Sequence, residues 1–296
     1  MPPALNAEAA PDKRALRRSY ERAAPGYDAH AVLHREVGAR LIDHLDPIRI
    51  EPRLIVDLGC GTGAGFAPLA RRFPRGEIVG VDLAPAMLRR ARERLPRWRR
   101  WLGRAGPRLV CADAERLPLA AACADLVVSN LALQWCRAEA VFAEAARVLP
   151  AGGLFLFSTF GPDTLKELRS AFRSAGDARA HVNDFVDMHD LGDGLVHAGF
   201  ADPVMEMEMI TLEYSGIEAL ARDLKAVGAR NVLEGRPRGL YGRDRWRRVA
   251  ARYEASRRDG ALPASYEIIY GHAWKTAPRR LADGRQVIDV RPRQRP

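Results

Sequence analysis

The fold of this chain is decided by residues Val56-Asp57-Leu58-Gly59-Cys60-Gly61-Thr62-Gly63-Ala64. A short apolar run over residues 53–58 ends at Gly59, glycines follow at alternate positions, and a helical pattern then continues to Phe73. Glycine suits such a turn because a ligand can approach its backbone closely and because it adopts positive φ at little cost. The stretch therefore predicts a buried strand, a tight turn and a helix, the arrangement at which open α/β sheets bind nucleotides.

Strands and helices alternate along the rest of the chain. Further strands are predicted near residues 77–82, 108–112, 125–129, 153–159, 204–213 and 265–274. Helices are predicted near residues 85–95, 137–148, 163–175 and 187–198. An irregular stretch from Lys225 to about Arg243 then leads into an arginine-rich helix. The pattern predicts an α/β fold, a mostly parallel seven-stranded sheet with helices on both faces.

The composition is that of a basic protein with a sizeable core. The chain has 296 residues, is 47% hydrophobic and carries a formal net charge of +10,. The excess charge is nearly all arginine, clustered at Arg89–Arg108 and Arg236–Arg258. Such surfaces attract nucleic acid, anionic lipid or an acidic protein. The alternative is that these arginines reflect a GC-rich genome and have no function.

The same composition argues against membrane, secreted and disulfide-stabilised proteins. No run of about 18 apolar residues could span a bilayer, and the N-terminal residues lack the apolar segment of a secretory signal,. The four cysteines have no CxxC spacing, which disfavours both a disulfide framework and a zinc site: Cys60, Cys111, Cys123 and Cys136,. We expect a cytoplasmic protein that does not contact a membrane.

Aspartates end or follow three neighbouring predicted strands, at Asp57, Asp82 and Asp113. The glycine turn alone fits either a dinucleotide or S-adenosylmethionine, because Gly59-x-Gly61-x-x-Ala64 also satisfies the dinucleotide pattern. A dinucleotide brings a pyrophosphate, which a carboxylate beside the turn repels, whereas S-adenosylmethionine brings a sulfonium and an ammonium. Three acids at adjacent strand ends favour S-adenosylmethionine. The alternative is that these aspartates cap the helices that follow them.

These motifs resemble the class I S-adenosylmethionine-dependent methyltransferases, whose fold is Rossmann-like. The matching stretches are residues 56–63, 80–88, 112–119 and 129–135. The resemblance implies that the backbone of the glycine turn holds the methionine part of the cofactor, that Asp82 binds the ribose, and that Asp113 accepts from the adenine amine. It implies as cofactor-binding residues Asp57, Gly59, Cys60, Gly61, Gly63, Asp82, Leu83, Met87, Asp113, Ala114 and Asn130, the last at the methyl-transfer mouth.

Residues that other methyltransferase classes need are missing. Enzymes that methylate base amino groups carry Asn/Asp-Pro-Pro-Tyr/Phe after the fourth strand, where this chain has Asn130-Leu131-Ala132-Leu133. Cytosine C5 methylation needs a cysteine that generally follows proline, and none of the four does. No acidic cluster for a catechol-type metal is visible. We therefore expect neither a nucleic-acid substrate nor a metal.

Both ends of the chain resemble the malonyl-acyl-carrier-protein O-methyltransferases of biotin synthesis. The matching stretches are residues 19–36, 157–168, 185–190, 224–231, 234–236 and 265–267. The resemblance implies methyl esterification of a malonyl carboxylate on an acidic carrier protein, with malonyl-coenzyme A as a possible substitute. Tyr20 stands where the family usually has Phe, and His34 where it often has Gln. We expect neither difference to touch the chemistry.

Two other functions stay open at this point. The outline also resembles a mitochondrial complex I assembly factor that shares the fold but has a different reaction, and a methyltransferase acting on another small molecule would share the same cofactor motifs. Fold alone does not decide among them.

The substrate residues are predicted from the charge of a malonate. A carboxylate is already ionised at neutral pH and needs no general base, but a cation should recognise it. Arg236, between Gly235 and Pro237, is the first candidate, with Arg238 and Lys225 behind it. Tyr27 could donate to the carboxylate or close the pocket. Structural roles are expected for His189, His272, Trp135 and Trp274.

The predicted organisation is a single methyltransferase domain over residues 12–278. Within it we expect an N-terminal helical arm at 12–46, a cofactor-binding half at 50–160, and a lid at 160–200 and 225–262. Residues 1–11 and the basic tail 279–296 are predicted to be disordered,.

Overall fold

The computed structural model describes residues 11–95, 106–176, 182–232 and 242–277. Some predictions lie outside these ranges: the substrate residues Arg236 and Arg238, residues 1–10 of the N-terminal segment, and the basic tail. Parts of the two arginine clusters and of the irregular stretch after Lys225 also lie outside them.

Seven strands form one sheet in the order β3-β2-β1-β4-β5-β7-β6, and β7 runs antiparallel to both of its neighbours. The strands are β1 Leu54–Leu58, β2 Glu77–Asp82, β3 Arg108–Cys111, β4 Leu126–Asn130, β5 Leu154–Phe160, β6 Phe200–Tyr214 and β7 Leu262–Lys275. The first five strands are mutually parallel, so the carboxyl ends of β1, β2 and β4 meet at one edge. The predicted mostly parallel seven-stranded sheet is confirmed.

Helices cover both faces of the sheet. They are α1 Lys13–Ala23, α2 Tyr27–His30, α3 Val32–Asp43, α4 Phe66–Arg72, α5 Pro85–Arg94, α6 Ala138–Val148, α7 Lys166–Ser174, α8 Met188–His197, α9 Ile217–Ala226 and α10 Arg243–Glu254. Successive residues of a strand point to opposite faces. Ile55 of β1 accordingly packs with α3 and α4, whereas Val56 and Leu58 pack with α6 and α8.

The second half of the chain differs from the predicted pattern in one helix. Residues 217–226 form α9, which was not predicted, and Lys225 lies in its last turn instead of opening an irregular stretch. Ile217 and Leu220 are buried, and Leu224 packs against the same core, a spacing of three to four residues that marks a helix,. The prediction failed because the helix is short and polar residues separate its apolar positions.

The arm of α1, α2 and α3 crosses the carboxyl edge of the sheet. α1 packs on α5, α3 on β4 and β5, and α2 on α9. Ser19 Oγ donates to the carbonyl of Gly228 at 2.9 Å, so the arm is joined to the second half of the chain. Within the described ranges, no helix is both long and apolar enough to cross a membrane.

Replacing Gly271 on β7 should destabilise the sheet. A Cβ there would lie 2.4 Å from Phe157 Cζ and 2.9 Å from Met205 Sδ. We expect Gly271→Ala to lower the free energy of unfolding by about 1–3 kcal/mol because the core is overpacked. Urea denaturation measures this change.

Gly192→Ala is the matched control. Gly192 lies within α8, and a Cβ would meet nothing within 4 Å. This variant should gain about 0.5–1 kcal/mol because alanine is the better helix former. Equal effects from the two substitutions would contradict the packing described for β7.

Candidate active site

A cavity of about 360 Å³ lies between the arm and the carboxyl edge of the sheet. It brings together most of the predicted cofactor residues. Those that line it are Asp57, Gly59, Cys60, Gly61, Asp82, Leu83, Met87, Asp113, Ala114 and Asn130, together with Tyr27 of the arm. Gly63 does not line it. A Cβ on Gly63 would lie 2.6 Å from the Phe66 ring, so this glycine allows α4 to pack closely.

The glycine turn adopts the left-handed conformation that its sequence predicts. The φ angles of Gly59, Gly61 and Gly63 are 71°, 54° and 75°, values at which other residues are strained. At Gly61 a Cβ would meet no atom within 4 Å, so this residue presents bare backbone to open space.

Two carboxylates lie beside the turn at the strand ends, and one of them, Asp82, supports it. Asp82 accepts hydrogen bonds from the backbone N–H of Gly61 at 2.9 Å and of Ala84 at 2.8 Å. Burial raises the pKa of Asp82 to about 6, against these two hydrogen bonds. Burial, and then the charge of Asp82, raise the pKa of Asp57 to about 7. A cation in the cavity would be stabilised by both groups and would lower both pKa values.

An ammonium group already occupies the third acidic position. Lys13 Nζ lies 2.7 Å from Glu115 Oε1 and 3.1 Å from Asp113 Oδ1, and it also reaches the carbonyl of Trp135 and the sulfur of Cys136. Asp113, Glu115 and Cys136 are close enough together to hold a metal ion, a cluster that the sequence analysis missed. The lysine fills the centre of this cluster and fixes α1 to it.

The arm is held over the cavity by a second polar contact. Asp28 of α2 accepts hydrogen bonds from Thr62 Oγ1 at 2.6 Å and from Arg94 Nη2 at 2.5 Å. Tyr20 and Tyr27 lie between the two contacts, with ring centroids 6.5 Å apart. Burial raises the pKa of Tyr27 above its ordinary value, so its hydroxyl keeps its proton and can act as a donor.

Asn130 lines the cavity, but its side chain is committed to the protein. Its Nδ2 donates to the carbonyl of His34 at 2.9 Å, and its Oδ1 accepts from Ser158 Oγ at 2.8 Å. Asn130 therefore fixes α3, and His34 with it, against the ends of β4 and β5.

A second cavity, of about 340 Å³, adjoins the first. Its walls are mainly apolar and include Leu33, Phe160, Leu165, Leu168, Phe185 and Tyr266. Its polar side includes Asp223, which accepts from the Tyr214 hydroxyl at 2.8 Å and faces His30 at 3.3 Å.

The cation nearest to this second cavity was not predicted. Arg230 lines it, and among the described residues it is the one lysine or arginine that does so. Lys225 lines neither cavity. The signal for Arg230 was Gly228, which has a φ of 75° and turns the chain back toward the cavity after α9.

Comparison with known proteins first defines the class. A family model described as a methyltransferase domain matches residues 56–157. The YcgJ protein of Bacillus subtilis superposes with a TM-score of 0.57 at 17% identity, over 82% of this chain and 99% of that one. An S-adenosylmethionine-dependent methyltransferase from Thermotoga maritima gives a TM-score of 0.51 at 20% identity, over 88% of this chain and 100% of that one. The fold is therefore the Rossmann-like fold of class I methyltransferases.

Curated relatives narrow the class to one family. The malonyl-[acyl-carrier protein] O-methyltransferase of Gallionella capsiferriformans is 50% identical, over 94% of this chain and 96% of its own. The corresponding protein of Laribacter hongkongensis is 53% identical, over 95% of this chain and 96% of its own. The chain belongs to the malonyl-[acyl-carrier protein] O-methyltransferase family.

The buried carboxylate of Asp57 should make the ligand-free protein sensitive to pH. Its pKa is about 7 in the folded chain and about 4 in an unfolded one. Stability from the protonated form is complete below the unfolded value and is lost as the pH rises through the folded value. Asp57→Asn should therefore raise the melting temperature more at pH 8 than at pH 5.5, as measured by scanning calorimetry.

Asp43→Asn is the control for this measurement. Asp43 is an exposed acid in the last turn of α3, and its replacement should act equally at both pH values. A pH-independent gain at Asp57 would show that burial does not disfavour its charge.

Proposed function

We propose that this protein transfers a methyl group from S-adenosylmethionine to the free carboxylate of malonyl-acyl carrier protein, an early step of biotin synthesis. The observation that carries the proposal is the junction of two cavities, an acid-lined one beside the glycine turn and an apolar one next to it. The names of the relatives support the same reaction.

The first cavity fits S-adenosylmethionine in charge. The buried carboxylate of Asp57 and the partly buried one of Asp82 suit a cationic ligand, and the bare backbone at Gly61 permits close approach. Asp82 would bind the ribose hydroxyls, and Asp113 the adenine amine. The remaining contacts would come from Gly59, Cys60, Leu83, Met87 and Ala114. When bound, the cofactor supplies a methyl group on a positively charged sulfur, which a carboxylate oxygen takes as the sulfur leaves as a neutral thioether.

The second cavity would take the malonyl thioester. A volume of about 340 Å³ exceeds that of a malonyl group, and its apolar walls suit the alkyl and thioester parts of the arm that carries it. The protein needs no base for this reaction, because the nucleophile is already ionised. Its task is to remove water from the carboxylate and to align it, which can supply roughly 7–11 kcal/mol of the barrier.

Arg230 is the described cation at this cavity. We propose that Arg230 attracts the acidic substrate as it approaches this cavity. Arg236 and Arg238, a few residues further along the chain, remain predicted partners of the malonyl carboxylate. Tyr27 remains a proposed donor or lid at the cofactor cavity.

An acidic carrier protein would dock on α10. This helix exposes the arginines Arg243, Arg245, Arg247, Arg248 and Arg252 against the acids Asp244 and Glu254. It packs on α7 and α9, and both α7 and α9 contribute walls to the second cavity. The arginine face therefore lies beside the cavity that would receive the malonyl group, which favours a function for it over genomic composition.

A methyl-transfer assay tests the proposed function. S-adenosylmethionine with a labelled methyl group is offered with malonyl-carrier protein, acetyl-carrier protein, malonyl-coenzyme A and a mixed RNA pool in parallel. We expect base-labile label on the malonyl thioesters, highest on the carrier protein. Cofactor binding without any transfer would favour the assembly-factor function, and label on RNA would overturn the substrate class.

Removing the Asp82 carboxylate should weaken the binding of S-adenosylmethionine. A charged acceptor for two hydroxyl groups contributes about 1.5–3 kcal/mol, so Asp82→Ala should raise the Kd about 10- to 100-fold in calorimetry. Asp82→Asn, which keeps one acceptor oxygen, should lie between this variant and the wild type. Unchanged affinity in a folded Asp82→Ala protein would remove Asp82 from the site, and NAD binding by the wild type would overturn the cofactor.

Charge reversal on α10 should weaken productive encounter with the carrier protein. We expect the triple variant Arg245→Glu, Arg247→Glu and Arg248→Glu to raise the KM for malonyl-carrier protein and to flatten its dependence on salt between about 50 and 500 mM. Turnover of malonyl-coenzyme A should change less, because it needs no docked protein.

The matched control reverses three exposed arginines of α5, Arg89, Arg90 and Arg92. It makes the same change in net charge on the other arginine cluster and should leave most of the salt dependence in place. Equal effects from the two triple variants would mean that net charge, and not a docking face, governs encounter.

A further inference from the structure

The two cavities have two lining residues in common, His34 and Trp135, among the residues that the structure describes. His34 lies on α3, and Trp135 ends the single 3₁₀ turn Leu133–Trp135 that follows β4. These two side chains therefore form the junction at which a substrate in one cavity meets a cofactor in the other.

Both side chains carry a buried nitrogen without a partner. His34 Nδ1 and Trp135 Nε1 are shielded from solvent and form no hydrogen bond of normal geometry. The Tyr20 hydroxyl lies near the indole N–H and interacts with it as a hydrogen-bond acceptor, but outside normal hydrogen-bond geometry, so the indole N–H remains open to a better acceptor. Buried polar groups in folded proteins nearly always have partners, so a pair of orphaned nitrogens at a cavity junction indicates a ligand.

The third orphaned nitrogen of the described chain has a different setting. Arg169 Nε is also unpartnered, but Arg169 lines neither cavity, and its other nitrogens donate to the carbonyls of Pro162, Thr164 and Asn183. The coincidence of orphaned nitrogens with the junction is therefore specific to His34 and Trp135.

Both groups are held in place by their neighbours. Asn130 donates to the backbone carbonyl of His34, and the Tyr27 ring packs against the imidazole at 5.8 Å. Lys13 donates to the backbone carbonyl of Trp135, and the Tyr20 ring meets the indole edge-on at 6.2 Å. The protein thus fixes two potential donors before any ligand arrives.

We propose that His34 and Trp135 together seat the carboxylate of the substrate at this junction, each nitrogen donating a hydrogen bond to it. The proposal rests on the proposed function. It changes three expectations: His34 touches the chemistry, Trp135 is more than packing, and the reacting carboxylate is held by neutral donors instead of an arginine. Neutral donors orient the oxygens and leave the negative charge available for attack, whereas a paired guanidinium would stabilise the unreacted carboxylate more strongly.

The chemistry of the two groups fits this task. An indole nitrogen can only donate, and a neutral imidazole donates from one nitrogen. Burial lowers the pKa of His34 to about 4, so the imidazole is uncharged at neutral pH. Two uncharged N–H groups match the two oxygens of one carboxylate.

Binding of two carrier proteins separates this role from packing. Malonyl- and acetyl-carrier protein differ only in the free carboxylate. The ratio of their affinities, measured with S-adenosylhomocysteine present, therefore measures how well the protein binds that carboxylate. Trp135→Phe and His34→Leu should each lower the affinity for malonyl-carrier protein about 10- to 100-fold and leave that for acetyl-carrier protein unchanged. His34→Gln, which keeps a donor, should retain most of the wild-type ratio.

Trp274→Phe is the matched control, since Trp274 lies on β7 and lines neither cavity; its ratio should equal that of the wild type. The proposal is overturned if Trp135→Phe and His34→Leu keep the wild-type ratio, if both carrier proteins lose affinity equally, or if binding of S-adenosylhomocysteine alone is lost. If the wild type itself neither prefers nor methylates malonyl-carrier protein, the proposed function is wrong, and so is the proposed binding of the carboxylate by His34 and Trp135.

Discussion

Two carboxylates at the ends of adjacent parallel strands, one buried and one partly buried, are the constraint around which the molecule is arranged. Asp57 and Asp82 lie beside a turn whose glycines bring bare backbone to the same place. Burial disfavours the charge of both groups, and the charge of Asp82 further disfavours that of Asp57. The folded protein maintains this arrangement at a cost in stability. The cost is offset when a cation binds, so the same feature that weakens the empty protein favours the ligand it is built for.

The remaining elements enclose this point and add a second one beside it. The arm crosses the cavity and is fixed at two points, by Lys13 among Asp113, Glu115 and Cys136 and by Asp28 at the glycine turn. The long antiparallel pair of β6 and β7 and the helices α7, α9 and α10 form the other side of the molecule. Between them lies an apolar cavity, which makes contact with the acidic one at His34 and Trp135.

The parts of the molecule that follow local patterns could be predicted, and the parts that depend on distant contacts could not. The seven strands, the turn at Gly59–Gly63 and the acids Asp57 and Asp82 could be predicted because strand periodicity, glycine spacing and strand-end charge are all local signals. Helix α9 was missed because its apolar face is narrow. Lys13 was missed because its partners lie on elements far away in sequence: Asp113 is 100 residues from Lys13. Arg230 was missed because the turn at Gly228, which directs it toward the cavity, follows a helix that was not predicted.

The roles of His34 and Trp135 also depend on distant contacts and could not be predicted from the sequence. Each looked unimportant in sequence, one as a departure from a family pattern and the other as an aromatic residue suited to packing. Only the fold shows that both residues lie where the two cavities meet and that each has a buried nitrogen without a hydrogen bond of normal geometry. A sequence pattern can identify a ligand-binding turn, but it cannot show which polar atoms end up without partners.

The bond from Ser19 to Gly228 has a consequence for the order in which the protein is made. The contact joins residues 209 positions apart, and the backbone of Asp12 likewise donates to Val232 at 2.8 Å. Chains are synthesised from the N-terminus, and segments can begin to fold as they emerge. The arm therefore leaves the ribosome long before these two partners, and its contacts with the second half of the chain form only after residue 232 has emerged. A message cut short before that codon would encode an arm that lacks both of these contacts.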